Sequence, residues 1–166
     1  MSAAQIPTER LQLVAQTYEE VCAMIEALSE SDKKAVSADW LARLRAAAPT
    51  DPWTYGYSMV LRDGGREVGN AAFKGPPTPD GVVEIAYGIA TGFQGNGYAT
   101  EAANVLTDFA FDTGLVRVVR AHTRPEPNAS TRVLTKSGFQ FVGSVVDPED
   151  GPVWRWERHK ASAIRP

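Results

Sequence analysis

Apolar and polar positions alternate with period 2 from Arg10 to Ala15, which predicts a short strand over 10–15. Thr17 then suits a helix N-cap, and Glu19 and Glu20 fall in the first turn, where the helix dipole favours negative charge. Val21, Met24, Ile25 and Leu28 recur at helical spacing and predict the buried stripe of that helix. The polar run 29–34 reads as an exposed connection. A second helix is expected over 38–47, with Trp40, Leu41 and Leu44 apolar and with Pro49 and Pro52 as its stop.

The middle of the chain has the two-residue period of β structure. Residues 55–61 alternate, Asp63-Gly64-Gly65 is a turn, and 68–73 return, so the two runs form a hairpin. Residues 75–81, dense in Pro, Asp and Gly, are a loop, and the β-branched and aromatic run 82–89 is the next strand. The spacing of Ala102, Val105, Leu106 and Phe109 predicts a long helix over 98–113, with Gly114 as its C′ residue. A strand over 116–123 follows, then a helix over 128–137 ended by Gly138. Strands over 139–145 and 153–157 flank the acidic turn Asp147-Pro148-Glu149-Asp150-Gly151. The order β-α-α-β-β-β-α-β-α-β-β predicts an α+β (mixed α/β) fold. Its twisted central mixed sheet is flanked by helices, with one right-handed crossover between parallel strands.

Composition narrows the function classes. The 166 residues suit one domain, 1–166, and charged residues at 22% against 43% hydrophobic exclude bulk disorder and fibrous structure. A net charge of −3 argues against a nucleic-acid partner, whose footprint would be a basic patch. No apolar run approaches the ~20 residues that span a bilayer. Residues 1–10 carry no signal-peptide pattern, so the expectation is a soluble, cytoplasmic protein without a membrane partner. Cys22 is alone, which excludes an internal disulfide. With only His122 and His159 beside it, no metal site is expected.

The segment with chemistry in it is Glu84-Ile-Ala-Tyr-Gly-Ile-Ala-Thr-Gly-Phe-Gln94-Gly95-Asn96-Gly97-Tyr98-Ala99-Thr100-Glu101-Ala102. A strand runs through a glycine turn straight into a long helix. The first amides of a helix lack intrahelical partners, and the dipole adds positive potential, so such a turn is a phosphate or pyrophosphate cradle. Two common cradles do not match. A nucleotide P-loop needs Gly-Lys-Ser/Thr, which Gly97-Tyr98-Ala99 lacks. A dinucleotide fold needs a third glycine, where Thr100 stands, and an acid about 20 residues on, where Ala121-His122-Thr123 ends the next strand.

Gln94-x-x-Gly97-x-Ala99 resembles the Q/R-x-x-G-x-G/A motif of the GNAT acyl-CoA transferases. The run from Gly97 to Ala102 is similar to the ribosomal-protein N-acetyltransferase (RimJ/RimL-type) branch. Thr8-Glu9-Arg10-Leu11-Gln12-Leu13 resembles that branch's opening strand. Arg124-Pro125-Glu126, the run from Ser130 to Leu134, and Lys136-Ser137-Gly138-Phe139 resemble its later segments. The likeness covers about residues 8–158.

The resemblance implies acetyl-CoA as co-substrate, with its pyrophosphate on Gln94, Gly95, Asn96, Gly97, Tyr98, Ala99 and Thr100. Its pantetheine arm would lie along Tyr87, Gly88 and Ile89, and the helix from Asn128 and Ser130 would flank it. The reaction implied is direct attack of an amine, from a small molecule or a protein N-terminus, on the thioester, with an oxyanion donor near Ile89. Glu84 is the candidate base, since alternation sets it on the face of the small Ala86 and Gly88. A salt-bridged glutamate is the competing reading. His122, on the neighbouring strand, is a second titratable candidate against a plain core histidine. Arg132 and Lys136, one helix turn apart, would meet the 3′-phosphate.

Two positions depart from the family pattern. Pro127 stands where the family has an asparagine, displaced here to Asn128, and Leu134 stands where many members carry a tyrosine acid. A non-catalytic acyl-CoA sensor is therefore the alternative. Trp154 and Trp156 share one face, either as packing or as a cleft wall or homodimer surface. Trp40 and Trp53 would help roof the acceptor site, and the 147–150 turn would attract a cationic acceptor.

Overall fold

A computed structural model of the chain describes residues 5–48, 51–148 and 150–161. The expected stop at Pro49, the centre of the acidic turn at Glu149 and the first four residues of the leader reading lie outside them. Strands β1 (Gln5–Pro7) and β2 (Leu11–Ala15) open the chain, followed by helices α1 (Tyr18–Glu26), α2 (Glu30–Ala35) and α3 (Ala38–Ala46). Strands β3 (Tyr57–Leu61), β4 (Glu67–Phe73) and β5 (Val82–Ile89) lead to α4 (Tyr98–Asp112). Then come β6 (Val118–Thr123), α5 (Ala129–Lys136), β7 (Gln140–Asp147) and β8 (Gly151–His159).

The strands form one sheet in the order β1-β2-β3-β4-β5-β6-β8-β7. Every neighbouring pair is antiparallel except β5 with β6, which the α4 crossover makes parallel. The sheet is therefore mixed, as its sequence pattern predicts. On one face Leu11, Leu13, Met59, Ile85, Val119 and Ala121 pack against Ala102, Ala103, Leu106 and Ala110 of α4 and Leu134 of α5, all 2% exposed or less. Alanines at three of the four α4 positions let that helix lie close to the strands. α4 ends as expected: Gly114 takes φ +77°, and its amide donates to the Phe111 carbonyl.

The N-terminal helices depart from the sequence reading. Residues 29–34 are not a connection: most of them form α2, capped by Ser29, whose hydroxyl accepts from the Asp32 amide, with Lys33 beside Glu26 and Glu30. No residue of α2 is buried, so it has no apolar stripe to reveal it. The stripe expected for α1 is also corrected. Val21 is buried, but Met24 is 49% and Leu28 38% exposed. α1 packs not on the broad sheet but into a small cluster with Leu44 and Tyr55, which covers little more than one side chain per turn. Strand β1, absent from the sequence reading, pairs Ile6 with Leu13.

The four tryptophans find packing partners. Trp53 sits 4.8 Å from Phe73 and 6.2 Å from Phe109 by ring centroids, and Trp40 joins the Val21 cluster. Trp156 is buried and donates its indole N–H to Thr123 Oγ1 at 3.1 Å, and Trp154 packs beside it against the core. The face shared by Trp154 and Trp156 is thus the packed face of the sheet.

Candidate active site

Strands β5 and β6 pair only at one end. Their register runs Val82 with Val118, Val83 with Val119 and Glu84 with Arg120, and then stops. Each strand continues, β5 to Ile89 and β6 to Thr123, so the two splay apart. The Lys74 amide donates to the Glu84 carbonyl and the Ala90 amide to the Val68 carbonyl. Alternation then aims the main-chain groups of Glu84, Ala86, Gly88 and Ala90 at β4, and those of Tyr87 and Ile89 into the splay. An extended ligand could pair with that edge as an added strand.

The splay opens into a cleft of about 430 Å³. Tyr87, Gly88, Ile89, Gln94, Gly95, Gly97, Tyr98, Ala99, Thr100 and Ser130 line it, ten of the twelve residues the sequence proposes for the coenzyme's pyrophosphate and pantetheine arm. Asn96 and Asn128 are not among its walls. Asn96 turns its Nδ2 back to the carbonyl of Phe93 at 3.0 Å and closes the loop from behind. Asn128 is the N-cap of α5, its Oδ1 accepting from the Thr131 amide while Thr131 Oγ1 accepts from the Asn128 amide. Arg132 and Lys136 are also in the walls, together with Phe93, Ala129 and Val133, which the sequence does not single out. Phe93 is held by the guanidinium of Arg66, 4.7 Å from its ring.

Gly97, at φ +83°, is the N-cap of α4 and offers no side-chain cap. Among the described residues, the amides of 97–100 meet no hydrogen-bond acceptor, and the first helical bond is from Glu101 to the Gly97 carbonyl at 3.1 Å. Gly95 also has positive φ, and a Cβ there would meet nothing within 4 Å. The turn is therefore open to solvent, with donors aligned on the positive end of a 15-residue helix. This donor set fits a diphosphate. Tyr87 contributes a phenol whose value burial pushes up to about 12, against a smaller downward pull from its hydrogen bond with Ser130. It stays protonated at neutral pH.

On the face of the sheet opposite α4, Glu84 Oε2 lies 3.0 Å from His122 Nδ1 and 3.3 Å from Lys74 Nζ. The contact with Nδ1 is off the line of a good hydrogen bond, so this buried nitrogen has no well-aligned acceptor. His122 Nε2 accepts from Arg155 Nε at 3.1 Å, which leaves the imidazole proton on Nδ1, facing the carboxylate. Burial pulls the Lys74 ammonium down, but Glu84, Asp147 and Asp150 together hold it above its ordinary value. Glu84 thus sits in a row, Lys74–Glu84–His122–Arg155, drawn from three strands and the residue that follows β4. Both candidates, Glu84 and His122, meet there, and Lys74 and Arg155 are partners that only the strand register reveals. Leu134, at the usual tyrosine position, is fully buried in the core and offers no acid.

A family model described as the acetyltransferase (GNAT) domain matches residues 10–140. The chain belongs to the GNAT family. It is 27% identical over 93 residues to the uncharacterized N-acetyltransferase p20 of Bacillus licheniformis, an alignment covering 56% of this chain and 52% of that protein. This GNAT chain thus spans about half the length of the curated relatives it matches. Its fold is that of solved GNAT structures. An acetyltransferase from Salmonella typhimurium, described as modifying the N-terminal serine of a 50S ribosomal subunit protein, superposes with a TM-score of 0.70. The two are 20% identical, over 95% of this chain and all of that one. RimL, a ribosomal-protein alpha-N-acetyltransferase in complex with coenzyme A, gives 0.70 at 19% identity, covering 94% of this chain and 98% of its own.

One consequence for stability arises at the GNAT loop. Glu101, in the first turn of α4, accepts from Thr8 Oγ1 and from the amide and guanidinium of Arg10. Burial alone would raise its carboxyl, but these donors outweigh it and hold the group below its ordinary 4.5. A carboxylate with a depressed folded value stabilises fully above the unfolded value, and the contribution is lost as pH falls through the folded one. Urea unfolding at pH 7 and pH 3 is expected to show a smaller acid loss in Glu101→Gln than in the parent. An equal loss would remove Glu101 from the acid limb.

Proposed function

We propose that the chain is an acetyl-CoA-dependent N-acetyltransferase acting on a primary amine by direct attack on the thioester. Bound acetyl-CoA supplies the activated acyl group and a thiolate leaving group. The amides of 97–100 would hold its diphosphate, the edge of Tyr87 and Ile89 its pantetheine arm, and Arg132 and Lys136 its 3′-phosphate. Glu84 would take the amine proton, from the face where Ala86 and Gly88 leave room for an acceptor. A neutral amine is required, and an α-amino group with pKa about 7.7–8.0 supplies it more readily at pH 7 than a lysine at about 10.4. The acidic residues Asp147 and Asp150, whose charges reach Lys74, favour a cationic acceptor on this side. We assign it no metal and no nucleic-acid partner, and read 1–166 as one cytoplasmic domain with its core at about 8–158. Among the described residues no helix is long and apolar enough to cross a membrane.

The observation that carries this reading is the cleft itself. Unpaired helix amides stand at one end and an unpaired strand edge at the other, the two ends of a diphosphate–pantetheine chain. Calorimetric titration with acetyl-CoA, coenzyme A and ATP tests it, paired with thiol release across amines and N-terminal peptides. Binding of both coenzyme forms, no binding of ATP and thiol release with at least one amine are expected. ATP binding with indifference to coenzyme A would overturn the assignment. Tight acetyl-CoA binding with no turnover across the panel would favour the sensor alternative.

A further inference from the structure

Two sequence motifs lie far apart in the chain, Thr8-Glu9-Arg10 before β2 and Gly97 to Ala102 at the head of α4, and the fold brings them into contact. Thr8 Oγ1 donates to Glu101 Oε1 at 2.8 Å and the Arg10 amide donates to the same oxygen at 3.1 Å. Arg10 Nε donates to Glu101 Oε2 at 2.5 Å, with Nη2 on that oxygen too. The guanidinium lies 4.7 Å from the centroid of the Tyr98 ring, and a Cβ on Gly97 would come within 3.1 Å of Arg10 Nη2. Arg10 therefore touches the first and the fourth residue of α4 and lies beside its N-cap. Its own segment is anchored: the Thr8 amide donates to the Leu11 carbonyl at 2.8 Å, and Arg62 Nη1 donates to the Thr8 carbonyl at 2.9 Å.

We propose that the Arg10–Glu101 tie is a positioning element that fixes the direction of the first amides of α4 for the coenzyme diphosphate. The proposal rests on the coenzyme reading of that loop. Asn96 ties the loop to itself, but α4 carries no side-chain cap of its own, and Arg10 clamps the head of the helix from outside. Direct charge pairing with phosphate is the rival role for Arg10. Two facts weigh against it: Arg10 does not line the cleft, and its Nε and Nη2 are both committed to Glu101.

Glu101→Ala separates the two roles by sign. Removing a carboxylate beside an anion site strengthens anion binding on electrostatic grounds alone, and it frees Arg10 as a cation. Positioning requires the opposite. In the full chain, titrated with coenzyme A, Arg10→Ala and Glu101→Ala are each expected to weaken binding about tenfold or more, the scale of one charge-assisted hydrogen bond. The double variant should be no weaker than either single one, and turnover at saturating acetyl-CoA should be largely kept, so the change falls on KM. Arg10→Lys, which keeps charge but not the fork, should rescue only in part. Unchanged or tighter binding in Glu101→Ala, or a lower Tm with affinity intact in both variants, would overturn the proposal while leaving the coenzyme reading standing. No coenzyme A binding by the parent would bring down both.

Discussion

Glu84→Gln is expected to keep coenzyme A affinity and to lose turnover at neutral pH by roughly 100-fold or more, the usual scale for a positioned general base. Glutamine preserves shape and one hydrogen-bond acceptor but cannot take a proton. Affinity should survive because Glu84 is not among the walls of the cleft. The rival account is that Glu84 is only a salt-bridge partner of Lys74. That account makes a different prediction, since losing one partner of a half-exposed pair costs stability and not rate; the Lys74 side chain is 42% exposed. Lys74→Met sharpens the contrast, for it removes the tether and leaves the carboxylate. If Glu84 is the base, Lys74→Met keeps most of the rate that Glu84→Gln loses. Equal turnover in Glu84→Gln and the parent, measured by thiol release, would take Glu84 out of the mechanism.

His122 extends this argument. Arg155 fixes its tautomer, so the proton on Nδ1 is on the side of Glu84, 3.0 Å from the carboxylate. None of the three contacts of this row is local in sequence. Lys74 directly follows β4, Glu84 lies on β5, His122 on β6 and Arg155 on β8, and only the register His122 with Arg155 brings the last pair together. Alternation along one strand shows which face a side chain takes, but not which residue stands opposite. That is why Glu84 and His122 were legible as separate candidates and Lys74 and Arg155 were not.

The cleft was legible for the opposite reason. Most of its parts are consecutive: a β-branched strand, two glycines and a helix whose apolar spacing announces its start; the wall from α5 is not, and the family resemblance alone points to it. The physics of that junction depends on main-chain amides, which any sequence with the right turn exposes. Asn128 shows the limit, because an asparagine before a helix reads equally as ligand contact and as cap, and here its oxygen is already used by Thr131. Local polarity misled in α2, where Ser29 caps six residues held by charge pairs and no burial. It misled again in α1, where helical spacing found the stripe but not the narrow partner that leaves Met24 and Leu28 in solvent.

The second large effect is expected at Gly97. Gly97→Val should weaken coenzyme A binding by about 10–100-fold, the consequence of misaligning one charge-assisted hydrogen bond at about 1.5–3 kcal/mol. A β-branched residue held at φ +83° costs of order 1–3 kcal/mol, and its Cβ would press on Arg10 Nη2 at 3.1 Å. The chain relieves both by rotating the Gly97 peptide, and that rotation turns the donors of α4 away from a common point. Gly92→Ala is the control. Gly92 is exposed, lies outside the left-handed region and has nothing within 4 Å of an added Cβ, so it should bind as the parent does. Calorimetry on the two variants reads the difference directly. If Gly97→Val binds coenzyme A as tightly as Gly92→Ala, the amides at the head of α4 do not hold the diphosphate, however open the turn.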